Sequence, residues 1–279
     1  MTTTNPADPF HSFKALQRAT WADFAANEGF TIPPAADLVA FANVAAKDAV
    51  LDVGCGTGVV AVTAARLGAI VSGVDLTPVL LERARQNAAV AGVEVALTEG
   101  DVESLPYADD SFDVVLSQFG HMFGPRPEVA TAEMLRVLKP GGRIAFSTWP
   151  PEHGMGRLFA LLGSYLPSPP AGAPTPAPPV QWGDPNIVRA RLGNFVSDIR
   201  FDRGIAVAPT LSPLHTLAFL EATFGPLTKL LAAMQSQPER VAGVRAEVLG
   251  IVSQVFAGNA MRQQFLMTRA VKKRDEAGR

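Results

Sequence analysis

Cysteine, tyrosine and tryptophan are scarce in this 279-residue chain, which has one Cys, two Tyr and three Trp residues. With Cys55 as the single cysteine, an internal disulfide is excluded. No run of about 18 or more apolar residues offers a membrane-spanning helix. The opening letters MTTTNPADPF also lack the basic start and the apolar stretch of a signal peptide. We therefore expect a cytoplasmic protein with no membrane partner.

Charge is also low, because only 18% of the residues are charged and the formal net charge is −2. Nucleic-acid readers usually carry a strongly basic surface, so a nucleic-acid partner is not expected. The four histidines lie at positions 11, 121, 153 and 215, without a spacing typical of metal ligands, and no metal site is expected. A hydrophobic content of 48% over this length predicts a globular protein with a large core.

Short apolar runs alternate with helix-like stretches through the first half of the chain. The runs predict strands at 50–53, 69–74, 93–98, 112–116 and 143–148, with a helix over 127–138 that ends before a Pro-Gly-Gly sequence. Such alternation is typical of a parallel sheet covered by crossover helices. The sequence therefore predicts an α/β fold.

The second half is less regular. Residues 166–180 are rich in proline and predict an extended surface loop, which is either a plain tether or a flap over a substrate mouth. Beyond it we expect helices at 184–192, 213–224 and 238–256 and strands at 195–207 and 264–272. The helical stretch 212–236 has apolar side chains that either line an acceptor pocket or form the core face of two amphipathic helices; they include Phe219, Phe224, Leu227 and Met234.

A glycine loop follows the first strand and reads Asp52-Val-Gly54-Cys-Gly56-Thr-Gly58. Glycine lacks the Cβ that would keep a ligand away from the backbone. The third glycine comes one position too early for a dinucleotide fingerprint, and no Lys-Ser/Thr pair follows as in a phosphate-binding loop. The Asp52 carboxylate would suit a ligand with positive charge.

Four segments together resemble the class I S-adenosylmethionine-dependent methyltransferases, in particular the methyltransferase type 11 branch that includes ubiquinone and menaquinone biosynthesis enzymes. They are LDVGCGTG at 51–58, Asp75 at the end of the second strand, GDVESLPYADDSFDVV at 100–115 and EMLRVLKPGGRIAFST at 133–148. The resemblance implies a Rossmann-like, seven-stranded, mostly parallel sheet with helices on both faces. It also implies a helical cap inserted before the last strand.

From this resemblance we expect three parts: an N-terminal helical lid at 1–48, a cofactor-binding core at 49–150 and a C-terminal part at 151–279 with a substrate cap over about 210–258. The pattern Lys14-x-x-Gln17-x-x-Thr20-Trp21 is similar to a helix that closes over the cofactor in related enzymes. Trp21 is accordingly either a lid residue or an ordinary buried aromatic.

The resemblance also assigns contacts to S-adenosylmethionine, whose product is S-adenosylhomocysteine. Asp75, with Leu76 beside it, would accept hydrogen bonds from the ribose hydroxyls, and Asp101 with the backbone of Val102 would hold the adenine. The remaining predicted cofactor residues are Asp52, Gly54, Gly56 and Gly58 around the methionyl part, and Ser117 and Gln118 after the fourth strand.

Methyl transfer is an in-line displacement that needs alignment and exclusion of water, but neither a metal nor a covalent intermediate. For a general base, His121 is our first candidate because it follows the fourth strand, where open α/β sheets bind ligands. Tyr107 and His215 come after it. The acceptor is expected to be a small, apolar or aromatic molecule, and the protein a monomer or homodimer. An RNA or protein methyltransferase and a non-catalytic cofactor-binding protein remain alternatives.

Overall fold

The seven predicted strands form a single sheet in the computed structural model, which describes residues 8–166, 172 and 174–274. The strands are β1 (Ala49–Val53), β2 (Ile70–Asp75), β3 (Val95–Glu99), β4 (Phe112–Gln118), β5 (Leu138–Thr148), β6 (Val196–Pro209) and β7 (Ala260–Lys272). Their order in the sheet is β3-β2-β1-β4-β5-β7-β6. The first five strands pair in parallel, whereas β7 runs antiparallel to both β5 and β6. The predicted fold class is confirmed.

Ten α-helices lie in the part of the chain that the structure describes. They are α1 (His11–Trp21), α2 (Glu28–Phe41), α3 (Val59–Arg66), α4 (Pro78–Ala91), α5 (Pro127–Val137), α6 (Gly154–Ser164), α7 (Pro185–Leu192), α8 (Pro213–Thr223), α9 (Gly225–Ala233) and α10 (Pro238–Val255). The helices α8, α9 and α10 stand between β6 and β7, where the sequence predicted an inserted helical cap. Within the described residues, none of these helices has the length and apolar character needed to cross a membrane.

The core has two layers, one on each face of the sheet. Val50 and Val114 point to one face, where they pack with α2 and α3, and their neighbours Leu51 and Val115 point to the larger cluster on the other. All four side chains are fully buried. This period of two in strands buried on both sides explains the nearly continuous apolar runs in the sequence.

The start of β5 differs from the sequence prediction. The strand begins at Leu138, which pairs with Phe112, and it continues through Pro140 and the two glycines that were expected to precede it. A register shift next to this pair absorbs the irregularity, since a bulge tolerates a proline that cannot donate to the ladder. Helix α5 consequently passes directly into the strand without a loop.

The predicted proline-rich segment is described only in part. Residues 167–171 and residue 173 lie outside the described residues. Its end continues into a 3-10 helix at Pro179–Gly183, which places Trp182 in the core. A role of the segment as a flap over the substrate mouth therefore stays a prediction.

The order of the strands determines where a ligand can bind. From β1 the chain moves outward to β2 and β3, and it then returns to place β4 on the other side of β1. Open α/β sheets bind ligands at such a reversal, at the carboxyl ends of the strands. The predicted glycine loop follows β1 and His121 follows β4, so both lie at this edge.

Candidate functional site

A large cavity opens at the carboxyl edge of the sheet, where β1 and β4 end. It extends from the loops after β1, β2 and β3 to the helices α1, α6 and α8. Ten of the predicted site residues line it: Trp21, Asp52, Gly54, Gly56, Asp75, Leu76, Asp101, Val102, Gln118 and His121. The tertiary structure thus brings together residues that are up to 100 positions apart in the sequence.

Asp75 lies at the end of β2 with its carboxylate held by two backbone donors. The amide of Gly56 donates to one carboxylate oxygen at 2.8 Å, and the amide of Thr77 donates to the other at 2.8 Å. Burial raises the pKa of Asp75, while these two hydrogen bonds act in the opposite direction. The carboxylate is fixed beside the glycine loop and keeps lone pairs for further donors.

Asp52 is the acidic residue that begins the glycine-loop motif, and it is almost completely buried. One carboxylate oxygen accepts a hydrogen bond from the amide of Ala61 at 3.0 Å, but the other has no partner among the residues that the structure describes. Burial, together with the neighbouring charge of Asp75, raises the pKa of Asp52 to about 7. A buried, unpartnered carboxylate oxygen at the wall of a cavity is favourable for a cationic or hydrogen-bonding ligand.

The three loop glycines differ in what they contact. A Cβ at Gly56 would meet nothing within 4 Å, and this glycine lines the cavity, so the side-chain position is left open for a ligand. A Cβ at Gly58 would instead lie 2.9 Å from the Cβ of Ala84 on α4. Gly58 therefore permits close packing of two helices, and it does not line the cavity.

Ser117 also differs from its predicted place. Its hydroxyl donates to the carbonyl of Val53 at 2.6 Å and accepts from the amide of His121 at 3.0 Å. The residue ties the ends of β1 and β4 together behind the cavity wall and does not line the cavity. Its contact with a cofactor stays a prediction that this geometry does not favour.

Asp101 follows β3 and takes part in a buried ionic cluster. The amide of Glu103 donates to one of its carboxylate oxygens at 2.9 Å, and the ammonium of Lys14 lies 2.7 Å from the other. The carboxylates of Asp8, Asp101 and Glu103 are close enough to one another to hold a metal ion. The ammonium of Lys14 contacts all three of them instead.

One face of helix α1 forms part of the cavity wall. The side chains on that face recur at helical spacing and line the cavity: Phe13, Lys14, Gln17, Arg18 and Trp21. The indole N–H of Trp21 donates to Gln17 at 2.8 Å, and the indole ring lies 4.7 Å from the ring of Phe123. Trp21 therefore lines the cavity and also packs against aromatic neighbours, and its role as a lid residue stays a prediction.

The part of the cavity away from Asp75 and Asp101 is aromatic. Trp149 is stacked between Phe119 and Phe30, with ring centroids 3.9 and 5.8 Å away and nearly parallel planes. Phe119 has a positive φ of 60°, a backbone conformation that is uncommon for a bulky residue. Further lining side chains are Phe24, Phe123, Met155, Phe159, Phe219, Leu220, Phe224 and Met261.

Of the four residues that the sequence assigned either to an acceptor pocket or to a helical core face, two line the cavity. Phe219 and Phe224 line the cavity, and Phe224 also belongs to the main core, in which Leu227 and Met234 are buried. Both alternatives that the sequence left open are thus realised in different residues of the same helical stretch.

Gln118 is one of few uncharged polar residues at the aromatic end. Its amide nitrogen donates to the carbonyl of Thr31 at 2.8 Å, which orients the side chain. The side-chain oxygen is buried without a partner in residues 8–166, 172 and 174–274, and it can accept a hydrogen bond from a ligand.

His121 is buried against the aromatic rings of Phe146 and Trp182, with centroid distances of 4.6 and 4.7 Å. Within the described part of the chain, neither ring nitrogen has a hydrogen-bond partner. Burial, and to a lesser extent the charge of Arg191, lowers the pKa of His121 to about 3. The imidazole is consequently neutral near pH 7 and is a weak base there.

Sequence reasoning missed the ionic role of Lys14 and the aromatic wall. Lys14 lies on the same helix face as Gln17 and Trp21, and this spacing could have indicated that all three line the cavity. The stack of Phe30, Phe119 and Trp149 had no such signal, because its rings come from three separate segments.

The site has the features that S-adenosylmethionine requires. Carboxylates stand at three successive strand ends, and the one from Asp52 has an orphaned oxygen where a cationic group could bind. The open side-chain position at Gly56 lines the same cavity as Asp52 and Asp75. The residues present therefore fit this cofactor.

Comparisons with known proteins agree with this geometry. Residues 51–146 match the family described as "Methyltransferase domain". An uncharacterized protein of Mycobacterium tuberculosis is 34% identical over 276 residues, which cover 98% of this chain and 100% of that protein. A ubiquinone biosynthesis O-methyltransferase of Alkalilimnicola ehrlichii is 41% identical over 118 residues, which cover 41% of this chain and 47% of that enzyme.

Among solved structures, the YcgJ protein of Bacillus subtilis is similar with a TM-score of 0.57 and 19% sequence identity. The match covers 86% of this chain and 98% of that chain. At this identity the likeness supports the fold, and the substrate must be argued from the site.

Proposed function

Because this chain belongs to the S-adenosylmethionine-dependent methyltransferases, we propose that it transfers the methyl group to a small, apolar or aromatic molecule. The observation that carries this proposal is the aromatic end of the cavity, where Trp149 is stacked between Phe30 and Phe119. Small-molecule sites are concave and mostly apolar, with a few polar groups that fix the orientation of the ligand. The orphaned oxygen of Gln118 is such a group.

The cofactor end supports a pose with the adenosine beside the ends of β2 and β3. In this pose Asp75 accepts from the ribose hydroxyls, Leu76 and Val102 flank the adenine, and Asp101 accepts from its exocyclic amine. Asp52 and the open side-chain position at Gly56 face the methionyl part. When bound, S-adenosylmethionine supplies an electrophilic methyl carbon on a cationic sulfur.

The chain's own contribution to the reaction is alignment and exclusion of water. The aromatic side chains hold a flat acceptor against the cofactor end, and α1 closes the cavity on the side of Trp21 and Phe13. Holding two reactants in the attacking geometry can contribute about 7 to 11 kcal/mol to lowering the barrier. Asp52 would supply the negative charge that offsets the positive charge of the bound cofactor.

His121 stays our candidate for the general base, but its burial limits its basicity. A pKa of about 3 keeps the imidazole unprotonated, as a base must be, but provides little driving force for proton transfer. An acceptor with an acidic proton, or one that needs no deprotonation, fits this site best.

The proposal can be tested by incubating the purified protein with S-adenosylmethionine and fractions of a metabolite extract. We expect S-adenosylhomocysteine to form with a low-molecular-weight fraction and the acceptor to become heavier by one methyl group. The variant Asp75→Ala should lose cofactor affinity and, with it, turnover in the same fraction.

Two results would contradict the proposal. Methylation confined to RNA or protein fractions would show a macromolecular acceptor. Binding of S-adenosylhomocysteine without turnover in any fraction would favour a protein that binds the cofactor and has lost transfer.

A further inference from the structure

Lys14 on α1 is an almost completely buried lysine, with 3% of its surface exposed. Lysine is rarely buried unless its charge is paired. Its ammonium lies 2.5 Å from the carboxylate of Asp8, 2.7 Å from that of Asp101 and 2.6 Å from that of Glu103. An ammonium has three N–H donors, so it can give one hydrogen bond to each carboxylate.

Arg126 is the second cation of this cluster. The guanidinium of Arg126 contacts Glu103 at 2.7 Å and Asp8 at 3.3 Å. Among the cluster's carboxylates, Asp101 is the one that Arg126 does not contact within these distances. Lys14 is therefore the cation that neutralises Asp101.

The Asp101 carboxylate is consequently held by two donors from different segments. The amide of Glu103 fixes one oxygen from within the loop after β3, and Lys14 fixes the other from α1. A second tie joins the same elements, since Arg18 on α1 contacts Glu99 at the end of β3 at 2.7 Å. Both Lys14 and Asp101 line the cavity at its cofactor end.

We propose that Lys14 is a positioning residue for the cofactor, whose ammonium orients the Asp101 carboxylate toward the exocyclic amine of adenine while it holds α1 across the cavity. This inference rests on the cofactor pose of the proposed function. It assigns adenine recognition to two segments, the loop after β3 and the lid helix, so that the recognition site is complete only when α1 is in place.

The compact ammonium is essential to this role. An arginine at position 14 would keep the charge, but its planar fork cannot direct one donor to each of three carboxylates around a point. Lys14→Arg is therefore expected to retain the fold while it changes the orientation of Asp101.

The test compares two ligands that differ at the adenine amine. S-adenosylhomocysteine carries the exocyclic amine, and S-inosylhomocysteine carries an oxygen in its place. Titration calorimetry of the unmodified protein should show tighter binding of S-adenosylhomocysteine. In Lys14→Met this affinity should fall by about tenfold or more, as expected for a hydrogen bond to a charged group. The affinity for S-inosylhomocysteine should change much less. The dissociation constant of S-inosylhomocysteine divided by that of S-adenosylhomocysteine should therefore fall.

A merely structural role of Lys14 predicts a different pattern, because a loosened lid would weaken both ligands by the same factor. An unchanged ratio in Lys14→Met, or no preference between the ligands in the unmodified protein, would overturn the proposal. If Lys14→Met does not fold, Lys14→Arg gives the answer. A ratio below that of the unmodified protein supports the proposal, and a ratio equal to it overturns the proposal.

Lys139→Met is the matched control, since Lys139 forms an ion pair with Asp113 away from the cavity. It should leave both dissociation constants as they are in the unmodified protein. Neither ligand requires a methyl acceptor, so the result does not depend on whether the proposed acceptor class is right.

Discussion

The backbones of Gly54 and Gly120 are in direct contact. Gly54 lies in the loop after β1 and Gly120 in the loop after β4, on the two sides of the reversal in strand order. A Cβ on Gly54 would lie 2.8 Å from the Cα of Gly120, and a Cβ on Gly120 would lie 2.5 Å from the carbonyl oxygen of Gly54. Such distances essentially never occur for real Cβ atoms. The loops after β1 and β4 thus form one wall of the cavity by direct backbone contact.

Gly120→Ala should lower both stability and cofactor affinity. Gly120 has a φ of −89°, which any residue adopts, so only the lack of space requires glycine here. Forcing a methyl group into this contact should cost about 1 to 3 kcal/mol of unfolding free energy and should displace the glycine loop. Denaturant unfolding and titration with S-adenosylhomocysteine would measure the two effects.

Gly250→Ala is the matched control for this substitution. Gly250 lies in the interior of α10, where an added Cβ would meet nothing within 4 Å. Alanine there should stabilise the protein by about 0.5 to 1 kcal/mol and leave cofactor affinity unchanged. Equal stability of Gly120→Ala and the unmodified protein would show that the two loops are farther apart than described.

Binding of S-adenosylmethionine near pH 7 should release protons from Asp52. The carboxyl has a pKa of about 7 in the free protein, so about half of it is protonated at that pH. The positive charges of the cofactor favour the ionised form and lower this pKa. Calorimetric titrations at pH 7 in buffers with different ionisation enthalpies should therefore give different apparent heats.

Asp52→Asn is the control for the proton release. The amide has a similar shape but does not titrate, so the part of the buffer dependence that comes from Asp52 should disappear. The same buffer dependence in the variant and in the unmodified protein would assign the proton to another group.

His121→Phe should make the protein more tolerant of acid. The folded-state pKa of about 3 lies below the unfolded value of about 6.5, so the unfolded state binds more protons between these values. The stability associated with a neutral His121 is fully present above about pH 6.5 and is lost as the pH falls toward 3. Relative to the variant, the unmodified protein should lose about 1.4 kcal/mol per pH unit in this window. Unfolding free energies at pH 7, 5.5 and 4 would reveal the divergence.

The same variant tests His121 as a general base. General bases typically contribute about 100- to 10,000-fold to the rate, and a base as weak as His121 should contribute less. We expect kcat to fall by less than about 100-fold with the acceptor found in the extract screen. A larger loss at an unchanged KM for S-adenosylmethionine would mean that acceptor binding restores the basicity of the imidazole.

Phe219→Ala should weaken binding of the acceptor and spare the cofactor. Phe219 lies on α8, is 42% exposed and lines the aromatic end of the cavity. Loss of its ring should raise the KM of an apolar acceptor by about tenfold, as expected for about 1.5 kcal/mol of lost apolar contact. Steady-state kinetics should show the KM for S-adenosylmethionine unchanged.

Leu214→Ala is the corresponding control on the same helix. Leu214 is also an exposed apolar residue, but it does not line the cavity, so neither KM should change. An increase in the KM for S-adenosylmethionine in Phe219→Ala would place this residue at the cofactor instead of the acceptor.

The fold and the cofactor end of the site could largely be predicted from the sequence. Apolar runs indicated the strands, with Asp52 inside the first strand, Asp75 at the end of the second and Asp101 after the third. The exceptions have local causes. The Pro-Gly-Gly sequence was expected to precede β5, but a bulge admits it into the strand, and Gly58 and Ser117 serve packing between neighbouring elements instead of lining the cavity.

What the sequence by itself determined was the order of the elements, because strand periodicity and glycine loops are short-range properties of neighbouring residues. The methyl donor followed from the resemblance of four sequence segments to a known methyltransferase family. Only the tertiary structure decided that Lys14 pairs with Asp101 and that Phe30, Phe119 and Trp149 form one stack. Such contacts join segments that are far apart along the chain, and their energy depends on burial and distance. Neither quantity exists until the sheet and its helices have assembled.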